Sequence, residues 1–169
     1  MATLVLTVVG ADRAGLVAAV ADQVDTHGGN WENSQLAELS GAFAGIIEVS
    51  VDDARVGALR AALASIPGLV TVSLPVSGSQ TGGRDHRFVV SVLGNDRAGI
   101  VREVSTTLSS RGFGIERMTS EVRDAAMAGG RVFEATIVAT AAASADLDGL
   151  ASELEQLANE LQVDIARAD

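Results

Sequence analysis

The chain contains the stretch Val9-Gly-Ala-Asp-Arg-Ala-Gly-Leu-Val17 and repeats it as Leu93-Gly-Asn-Asp-Arg-Ala-Gly-Ile-Val101. Six of the nine positions are identical and two more are conservative, at an offset of 84 residues. A repeat of this kind indicates one structural unit that is built twice. The sequence therefore predicts two modules, residues 1–76 and 87–169, joined by a glycine-rich and serine-rich linker at 77–86.

Each copy has the same predicted order of elements. A β-rich run at 3–9 or 87–93 precedes a helix with apolar residues at helical spacing, and Gly28 or Gly112 ends that helix. Two strands joined by a hairpin follow, then a second helix and a short final strand. These strands are expected at 30–39, 43–51 and 69–76, and at 115–123, 131–139 and 162–167. The βαββαβ order predicts an α+β fold of two ferredoxin-like modules, each an antiparallel sheet with helices on one face.

Short polar side chains stand where the helices should begin. Asp12 and Asp96 precede the first helix of each copy, whereas Asp52 with Asp53, and Ser144, precede the second helices. Such residues favour the N-cap because their side-chain oxygens accept hydrogen bonds from free backbone amides. We therefore predict that these residues cap their helices.

The first strand of each copy is apolar at nearly every position, as in Leu4, Val5 and Leu6. Alternating apolar residues would be enough if one face of the sheet met water. We therefore expect the face away from the helices to be at least partly covered, by the other module or by a second chain.

The charge of the chain argues against nucleic acid and anionic membranes as partners. The net charge is −10, and the basic residues are all Arg and are scattered, without the cluster that phosphates require. No run resembles a signal peptide or a membrane span, and the chain has no cysteine. We expect a cytoplasmic protein that binds neither DNA nor membranes directly.

The sequence has no recognisable catalytic, metal-binding or cofactor-binding motif. His27 is expected at a helix end and His86 in the linker, and no His, Cys and carboxylate grouping has metal-ligand spacing. Residues 10–15 have the glycine spacing of a phosphate loop, but Leu16-Val17 stands where Lys and Ser or Thr are needed. The sequence therefore predicts a protein that is not an enzyme and that uses no cofactor or metal.

Residues 10–15 and 94–99, which we call the first and second corner, remain as candidate binding sites. A helix N-terminus presents free N–H groups that attract a carboxylate. Gly15 and Gly99 would let a ligand approach the backbone, and Asp12 and Asp96 could accept a hydrogen bond from its ammonium group. An amino acid offers both charges. The residues alone leave open that each corner is only a capped turn.

A βαββαβ module with Asp-Arg-x-Gly after its first strand resembles the ACT domain, a regulatory amino-acid-binding module. The tandem arrangement resembles the glycine cleavage system transcriptional repressors, which are pairs of ACT domains; these often have Pro where this chain has Ala14 and Ala98. The resemblance implies a ligand site where two modules meet. One module supplies its corner, and the other supplies the start of its second strand.

By this resemblance, the polar residue of the family's loop matches Asp12 and Asp96. A family Asn before the second strand matches Asn30 in the first copy but Gly114 in the second. We therefore predict asymmetric binding, with the tighter site made by the second corner and Asn30. Trp31 is either a ligand contact or a core or interface residue. The predicted ligand-binding residues are Asp96, Arg97, Ala98, Gly99, Asn30, Asp12, Gly15 and Trp31.

The resemblance also implies a function in the transcriptional regulation of amino-acid metabolism. The chain would sense a small amino acid, glycine being suggested by the resemblance alone, and would act as a homodimer through a regulatory protein partner. Met127, in the six-residue insertion within 123–131, could contact such a partner or lie in an ordinary variable loop. The alternative function is a constitutive protein-interaction module with no functional ligand site.

Overall fold

Each copy of the repeat folds into four strands and two helices. The computed structural model describes residues 1–76, 85–124, 130–157 and 161–168. The chain divides into two compact units, one on each side of 77–84. The predicted linker 77–86 therefore lies mostly outside the described residues, as does Met127, but His86 belongs to a strand.

The observed elements follow the predicted order. The first module contains β1 (Ala2–Ala11), α1 (Leu16–Thr26), β2 (Asn30–Leu39), β3 (Ala42–Val51), α2 (Val56–Ala64) and β4 (Leu69–Pro75). The second module contains β5 (Asp85–Asn95), α3 (Ile100–Ser110), β6 (Gly114–Asp124), β7 (Arg131–Ala142), α4 (Leu147–Gln156) and β8 (Gln162–Ala168).

Both sheets are antiparallel and have the same strand order. That order is β2-β3-β1-β4 in the first module and β6-β7-β5-β8 in the second. In each sheet the first strand of the module lies between the third and the last, so it is paired on both sides. The predicted α+β fold of two ferredoxin-like modules is confirmed.

Each module has its own aliphatic core between the helices and one face of the sheet. In β1 the alternate residues Leu4, Leu6 and Val8 are buried, and they pack with Leu16 and Val20 of α1. The second core has the same plan and adds an edge-to-face pair of aromatic rings, Phe88 and Phe113. Because alternate strand residues face the helices, the other residues of each strand lie on the helix-free face.

The prediction that Asp12 and Asp96 cap the first helices is wrong. The N-cap residues are Gly15 and Gly99, and neither α1 nor α3 has a side-chain cap. The first strand of each module extends two residues beyond its predicted end, so the aspartate continues the strand pairing. The N–H of Asp12 donates to the carbonyl of Gly41 at 2.8 Å, and the N–H of Asp96 donates to that of Arg131 at 2.8 Å.

Aspartates cap the turn before α2 and the start of α4. Asp52 accepts a hydrogen bond from the N–H of Ala54 at 3.0 Å and caps the single 3-10 turn that precedes α2, whereas α2 itself has Arg55 at its N-cap position and no side-chain cap. Asp53 instead accepts a hydrogen bond from the N-terminal ammonium group at 2.6 Å. In α4 the cap is Asp146, which accepts from Gly149 at 2.9 Å, and not Ser144, which lies in the preceding turn.

Within the first module the helix-free face is open and apolar near β4. The exposed aliphatic side chains there are Val9, Ile46, Val70, Val72 and Leu74. No helix among the described residues is both long and apolar enough to cross a membrane.

Replacing Asp146 by Ala should lower the free energy of unfolding by about 1 kcal/mol, because the first turn of α4 loses its side-chain cap. The measurement is urea unfolding followed by circular dichroism. The matched control is Ser144→Ala, for which we expect a change within about 0.5 kcal/mol. A larger loss in Ser144→Ala than in Asp146→Ala would contradict the observed cap.

Candidate functional site

Each corner turns the chain through a glycine in the left-handed region. Gly15 has φ 87° and ψ 1°, and Gly99 has φ 87° and ψ −4°. Residues with a side chain seldom adopt this conformation. Among the described residues, no side chain caps α1 or α3, so the amides of their first turns remain available to a carboxylate.

The corners are open to solvent. In the first corner, Asp12 and Gly15 are exposed, and a Cβ placed on Gly15 would meet nothing within 4 Å. In the second corner, Ala98 and Gly99 are exposed, whereas Asp96 and Arg97 are half-buried. Neighbouring side chains of the same module therefore do not seal either corner.

The arginine of the repeated motif has a structural contact in both modules. Arg13 donates to the carbonyl of Pro67 at 2.9 Å, and Arg97 donates to the carbonyl of Leu157 at 3.1 Å. Both carbonyls lie just beyond the second helix of the module, at its carboxyl end. In each module the arginine thus connects the corner to the end of the second helix by a hydrogen bond. Arg97, a predicted ligand-binding residue, therefore already has hydrogen-bond partners within the protein.

Glu103 lies beside the second corner, and the sequence reasoning did not single it out. Its two carboxylate oxygens accept from Arg97 at 3.1 and 2.5 Å. It stands in the first turn of α3, where the helix dipole favours a negative charge, and Oε1 is 3.7 Å from a Cβ placed on Gly99. The aligned residue of the first module is Ala19. Among the described residues, the first turn of α1 has no acidic side chain, whereas Gly99 in the second module has both the carboxylate of Glu103 and the guanidinium of Arg102 beside it, 3.7 and 3.8 Å from a Cβ placed there.

The ion pair keeps both of its members charged. The hydrogen bond from Arg97 lowers the pKa of Glu103, and the hydrogen bond to Glu103 raises the pKa of Arg97. Arg97 partly neutralises the carboxylate of Glu103, so this carboxylate changes the electrostatic potential at the second corner only moderately.

The two aspartates of the corners have different surroundings. The side chain of Asp96 is 25% exposed, and its carboxylate lies 3.6 Å from the guanidinium of Arg131. Asp12 is exposed. An ammonium group would therefore meet a freely solvated carboxylate at the first corner and one close to an arginine at the second.

The start of β2 presents Asn30 and Glu32 side by side. Asn30 donates to Oε1 of Glu32 at 3.0 Å, and Ser50 donates to the same oxygen at 2.6 Å. These two hydrogen bonds, that from Ser50 first, lower the pKa of Glu32. The pairing of β2 with β3 shifts its register between Trp31 and Asn33, which places Glu32 in a β-bulge.

The second module repeats the bulge but not its chemistry. The register shift falls between Ile115 and Arg117, around Glu116. Glu116 accepts from Nε of Arg87 at 2.8 Å, and Gly114 takes the place of Asn30. The carboxylate of Glu32 therefore accepts hydrogen bonds from a neutral amide and a hydroxyl, whereas the carboxylate of Glu116 in the second module is paired with an arginine.

Trp31 is half-buried and packs against the core of the first module, with Ala19 and Val56 at the same boundary. Its ring is thus a core side chain at the edge of the sheet. Its role as a ligand contact stays a prediction.

The structure groups the predicted residues into three places. Asp12 and Gly15 share the first corner, and Asn30 and Trp31 share the start of β2. The second corner holds Asp96, Arg97, Ala98 and Gly99. Asn30 and the second corner belong to different modules, so their pairing remains a prediction.

Two surface depressions lie in the second module, away from both corners. One of about 240 Å³ is lined by β6 and β7, and one of about 420 Å³ is lined by β5, β7 and β8. Glu134 and Thr136 line both. Among the described residues there is no cluster of three or more His, Cys, Asp or Glu that could hold a metal ion.

Comparisons with known proteins support this architecture. Residues 2–68 match the family model of the ACT domain. An unknown protein from Galdieria sulphuraria has a crystal structure with a TM-score of 0.87 and 24% identity, covering 99% of each chain. A protein provisionally assigned as a glycine cleavage system transcriptional repressor has a TM-score of 0.70 and 21% identity, covering 99% of this chain and 98% of that one. No curated protein matches the chain. At these identities the likeness of the solved structures is one of fold.

Replacing Glu103 by Gln should lower the melting temperature at neutral pH, because the ion pair with Arg97 is lost. The difference from the wild type should shrink in acid. A carboxyl group whose pKa is lowered by folding stabilises the protein above its unfolded-state pKa, and this contribution disappears as the pH falls through the folded-state pKa. The measurement is the melting temperature from about pH 7 to about pH 3.

The matched control for Glu103 is Glu155→Gln, which changes an exposed glutamate of α4. We expect the control to follow the wild type at every pH. A melting-temperature difference for Glu103→Gln that stays constant into acid would contradict the role assigned to the ion pair.

Proposed function

We propose that this tandem ACT-domain protein is an amino-acid-sensing regulator of amino-acid metabolism that acts through protein contacts. The match of residues 2–68 to the ACT domain supports regulation by an amino acid. The fold shared with a protein provisionally assigned as a glycine cleavage system transcriptional repressor supports a role of that kind, in transcriptional regulation.

The observation that carries the proposal is the geometry of the corners. A left-handed glycine brings the chain into an uncapped helix N-terminus, and the corner is open to solvent in both modules. The first-turn amides are oriented to receive a carboxylate, with the positive end of the helix dipole behind them. Asp12 or Asp96, three residues before the glycine, would receive the ammonium group of the same ligand.

The start of β2 provides the second group of ligand contacts. Asn30 is exposed and has an amide that can exchange its hydrogen bond with Glu32 for one with a ligand. We propose that Asn30 and the second corner contribute to the tighter site, as the resemblance implies. The carboxylate of Glu103 would repel the carboxylate of the ligand, but Arg97 pairs with it and the guanidinium of Arg102 lies beside the same glycine.

The charge of the chain supports a protein partner for the proposed regulator. With a net charge of −10, the chain lacks the positive surface that would bind DNA. The proposed regulator is a cytoplasmic homodimer whose ligand biases its contact with a regulatory protein. Glycine is the first amino acid to test, and the proposal contains no catalytic step.

The alternative function, a constitutive interaction module, is favoured by one observation. Two surface depressions lie on the helix-free face of the second module, away from the corners. In such a module the corners would only connect strand to helix.

A thermal-shift panel of the amino acids tests the proposal, because a ligand that binds only the folded state raises the melting temperature. We expect a selective rise with one amino acid or a small group of related ones. In the double variant Asp12→Ala/Asp96→Ala the rise should be lost. The matched control, Asp22→Ala, removes an exposed carboxylate from the middle of α1 and should keep the rise.

A flat panel for the wild type would contradict amino-acid sensing and support the constitutive module. A rise that persists in the double variant would contradict the role of the corner aspartates while leaving ligand binding intact.

Calorimetry with the amino acid from the panel tests the asymmetry. We expect two sites of unequal affinity and, in Asn30→Ala, a selective loss of the tighter one. The matched control is Asn33→Ala, because Asn33 makes a similar hydrogen bond to Glu48, at 3.2 Å. Two equal sites in the wild type, or normal binding by Asn30→Ala, would contradict the prediction.

A further inference from the structure

The helix-free face of the first module carries an exposed aliphatic surface that the corners do not use, which we call the open patch. Its members lie on three neighbouring strands and are 45–62% exposed. The strand register places Val9 opposite Val70, and Thr7 opposite both Ile46 and Val72. An exposed aliphatic surface of this kind marks a site of protein contact. The open patch consists of Val9, Ile46, Val70, Val72 and Leu74.

The second module shows that the fold does not require such a surface. The register of β5 with β8 places Gln162 and Asp164 at the positions that Val70 and Val72 occupy in the first module. The two modules share a strand order, and their cores follow the same plan. The apolar residues of β4 are therefore a property of the first module alone.

The dimensions of the open patch match those of one α-helix. Neighbouring strands lie about 4.8 Å apart, so the three strands of the open patch span about 10 Å, the width of one helix with its side chains. From Val70 to Leu74 the patch extends about 13 Å along β4, which corresponds to about nine residues of helix. Helices already cover the opposite face of the same sheet. A single short helix laid along the strands would therefore cover the open patch.

Two carboxylates stand on the helix-free face beside the open patch. Glu48 follows Ile46 on the same side of β3, and it accepts a hydrogen bond from the amide of Asn33 at 3.2 Å. Ser50, next on that side, donates to Glu32 at 2.6 Å. Neither carboxylate forms an ion pair with any residue that the structure describes. Both are therefore charged groups with neutral hydrogen-bond donors.

The sheet of the first module contains no basic side chain that could pair with them. None of the strands β1 to β4 includes an Arg, Lys or His. Of the three arginines of residues 1–76, Arg55 and Arg60 lie in the helical layer, and Arg13 donates to the carbonyl of Pro67 at the first corner. The helix-free face therefore combines an apolar surface with negative charge alone.

The charges indicate which kind of molecule covers the open patch. The net charge of the chain is −10, so a second copy is repelled and would bring its own Glu48 to the contact. A partner that carries Lys or Arg next to an apolar stripe is attracted and gives Glu48 a cation. Electrostatic complementarity of this type steers association and fixes the register of the two surfaces. It favours a basic amphipathic helix over a second copy of the chain.

We propose that the open patch and Glu48 dock one amphipathic α-helix of a protein partner, with its aliphatic side chains on the patch and a Lys or Arg beside Glu48. This inference rests on the proposed function in one respect, that the regulator acts through protein contacts, and it is independent of the amino-acid ligand. It leaves the proposed homodimer to other surfaces of the chain.

A synthetic peptide tests the docking surface. The probe is a fluorescently labelled helical peptide of about 18 residues, long enough to form helix when bound, with Leu along one face and Arg along one flank of that face. We expect saturable binding to the full chain in fluorescence anisotropy, measured without any amino acid. Two control peptides should not bind: one of the same composition in scrambled order, and one with Glu in place of Arg.

Variants of the chain separate the apolar contact from the charge. Val72→Asp should raise the Kd of the peptide by about tenfold or more, although the added negative charge attracts Arg. The matched control is Thr136→Asp, which adds the same charge to the helix-free face of the second module and should bind as the wild type does. Circular dichroism verifies that each variant is folded.

Glu48→Gln should raise the Kd of the Arg peptide several-fold, and the difference from the wild type should shrink at high salt. A peptide with Gln in place of Arg should bind the wild type and Glu48→Gln equally. The matched control is Asp22→Asn, which removes the same charge from an exposed position of α1 and should leave binding unchanged.

A thiol at the open patch tests for other occupants. Since the chain has no cysteine, Val72→Cys introduces a single thiol. We expect it to be alkylated as fast as the thiol of Thr136→Cys at every protein concentration, and to be protected when the Arg peptide is added. Protection that grows with protein concentration would assign the patch to a second copy. Protection at every concentration without peptide would assign it to another part of the same chain. Either result would overturn the proposal.

The proposal is also overturned if the Arg peptide does not bind, if the scrambled peptide binds equally well, or if Val72→Asp binds as the wild type does. None of these results bears on the thermal-shift panel, which is measured without peptide. A failure of amino-acid sensing is therefore recognised separately.

Discussion

The left-handed glycine between the first strand and the first helix is the constraint on which the rest of each module depends. Gly15 and Gly99 adopt the same φ, and each allows a fully paired central strand to pass within a few residues into a helix that covers it. The same turn leaves the helix without a side-chain cap. One backbone conformation therefore orients the layers of the module and also provides the amides that the proposed function needs.

The arginine of the motif connects this turn to the end of the second helix by a hydrogen bond. Arg13 and Arg97 reach different carbonyls, those of Pro67 and Leu157, but in both modules the carbonyl lies just beyond the second helix. The carboxyl end of a helix carries a partial negative charge and attracts a cation. The repetition of this contact gives the arginine of both copies a structural role.

The two modules keep similar cores and differ at their surfaces. Ala19 corresponds to Glu103, and Asn30 corresponds to Gly114. Val72 has Asp164 at its register position. Core positions are constrained by packing, whereas exposed positions can change at little cost in stability. A duplicated module can therefore give one copy an exposed apolar surface and the other a corner with additional charged residues beside it.

The sequence by itself determined the repeat and the order of the elements, because periodicity and glycine placement are local properties. The cap that Asp52 places on the 3-10 turn follows from the same local rules. The structure alone decided which residues of the almost uniformly apolar β1 are buried. The caps expected at Asp12, Asp96 and Ser144 were wrong because pairing with the neighbouring strand, or the turn before the helix, moved the start of each helix. Only the tertiary structure could decide this, since strand pairing joins residues that are distant along the chain.

The candidate site was also predicted in part from the sequence and in part only from the structure. The sequence predicted the glycine and aspartate positions of both corners, because each motif is continuous along the chain. The sequence did not predict the contacts that Arg97 makes with Glu103 and with the carbonyl of Leu157. It also did not predict that Asn30 and Ser50 both donate hydrogen bonds to Glu32. These contacts depend on which side chains the helix turn and the sheet register bring within hydrogen-bond distance, and only the folded chain sets that distance.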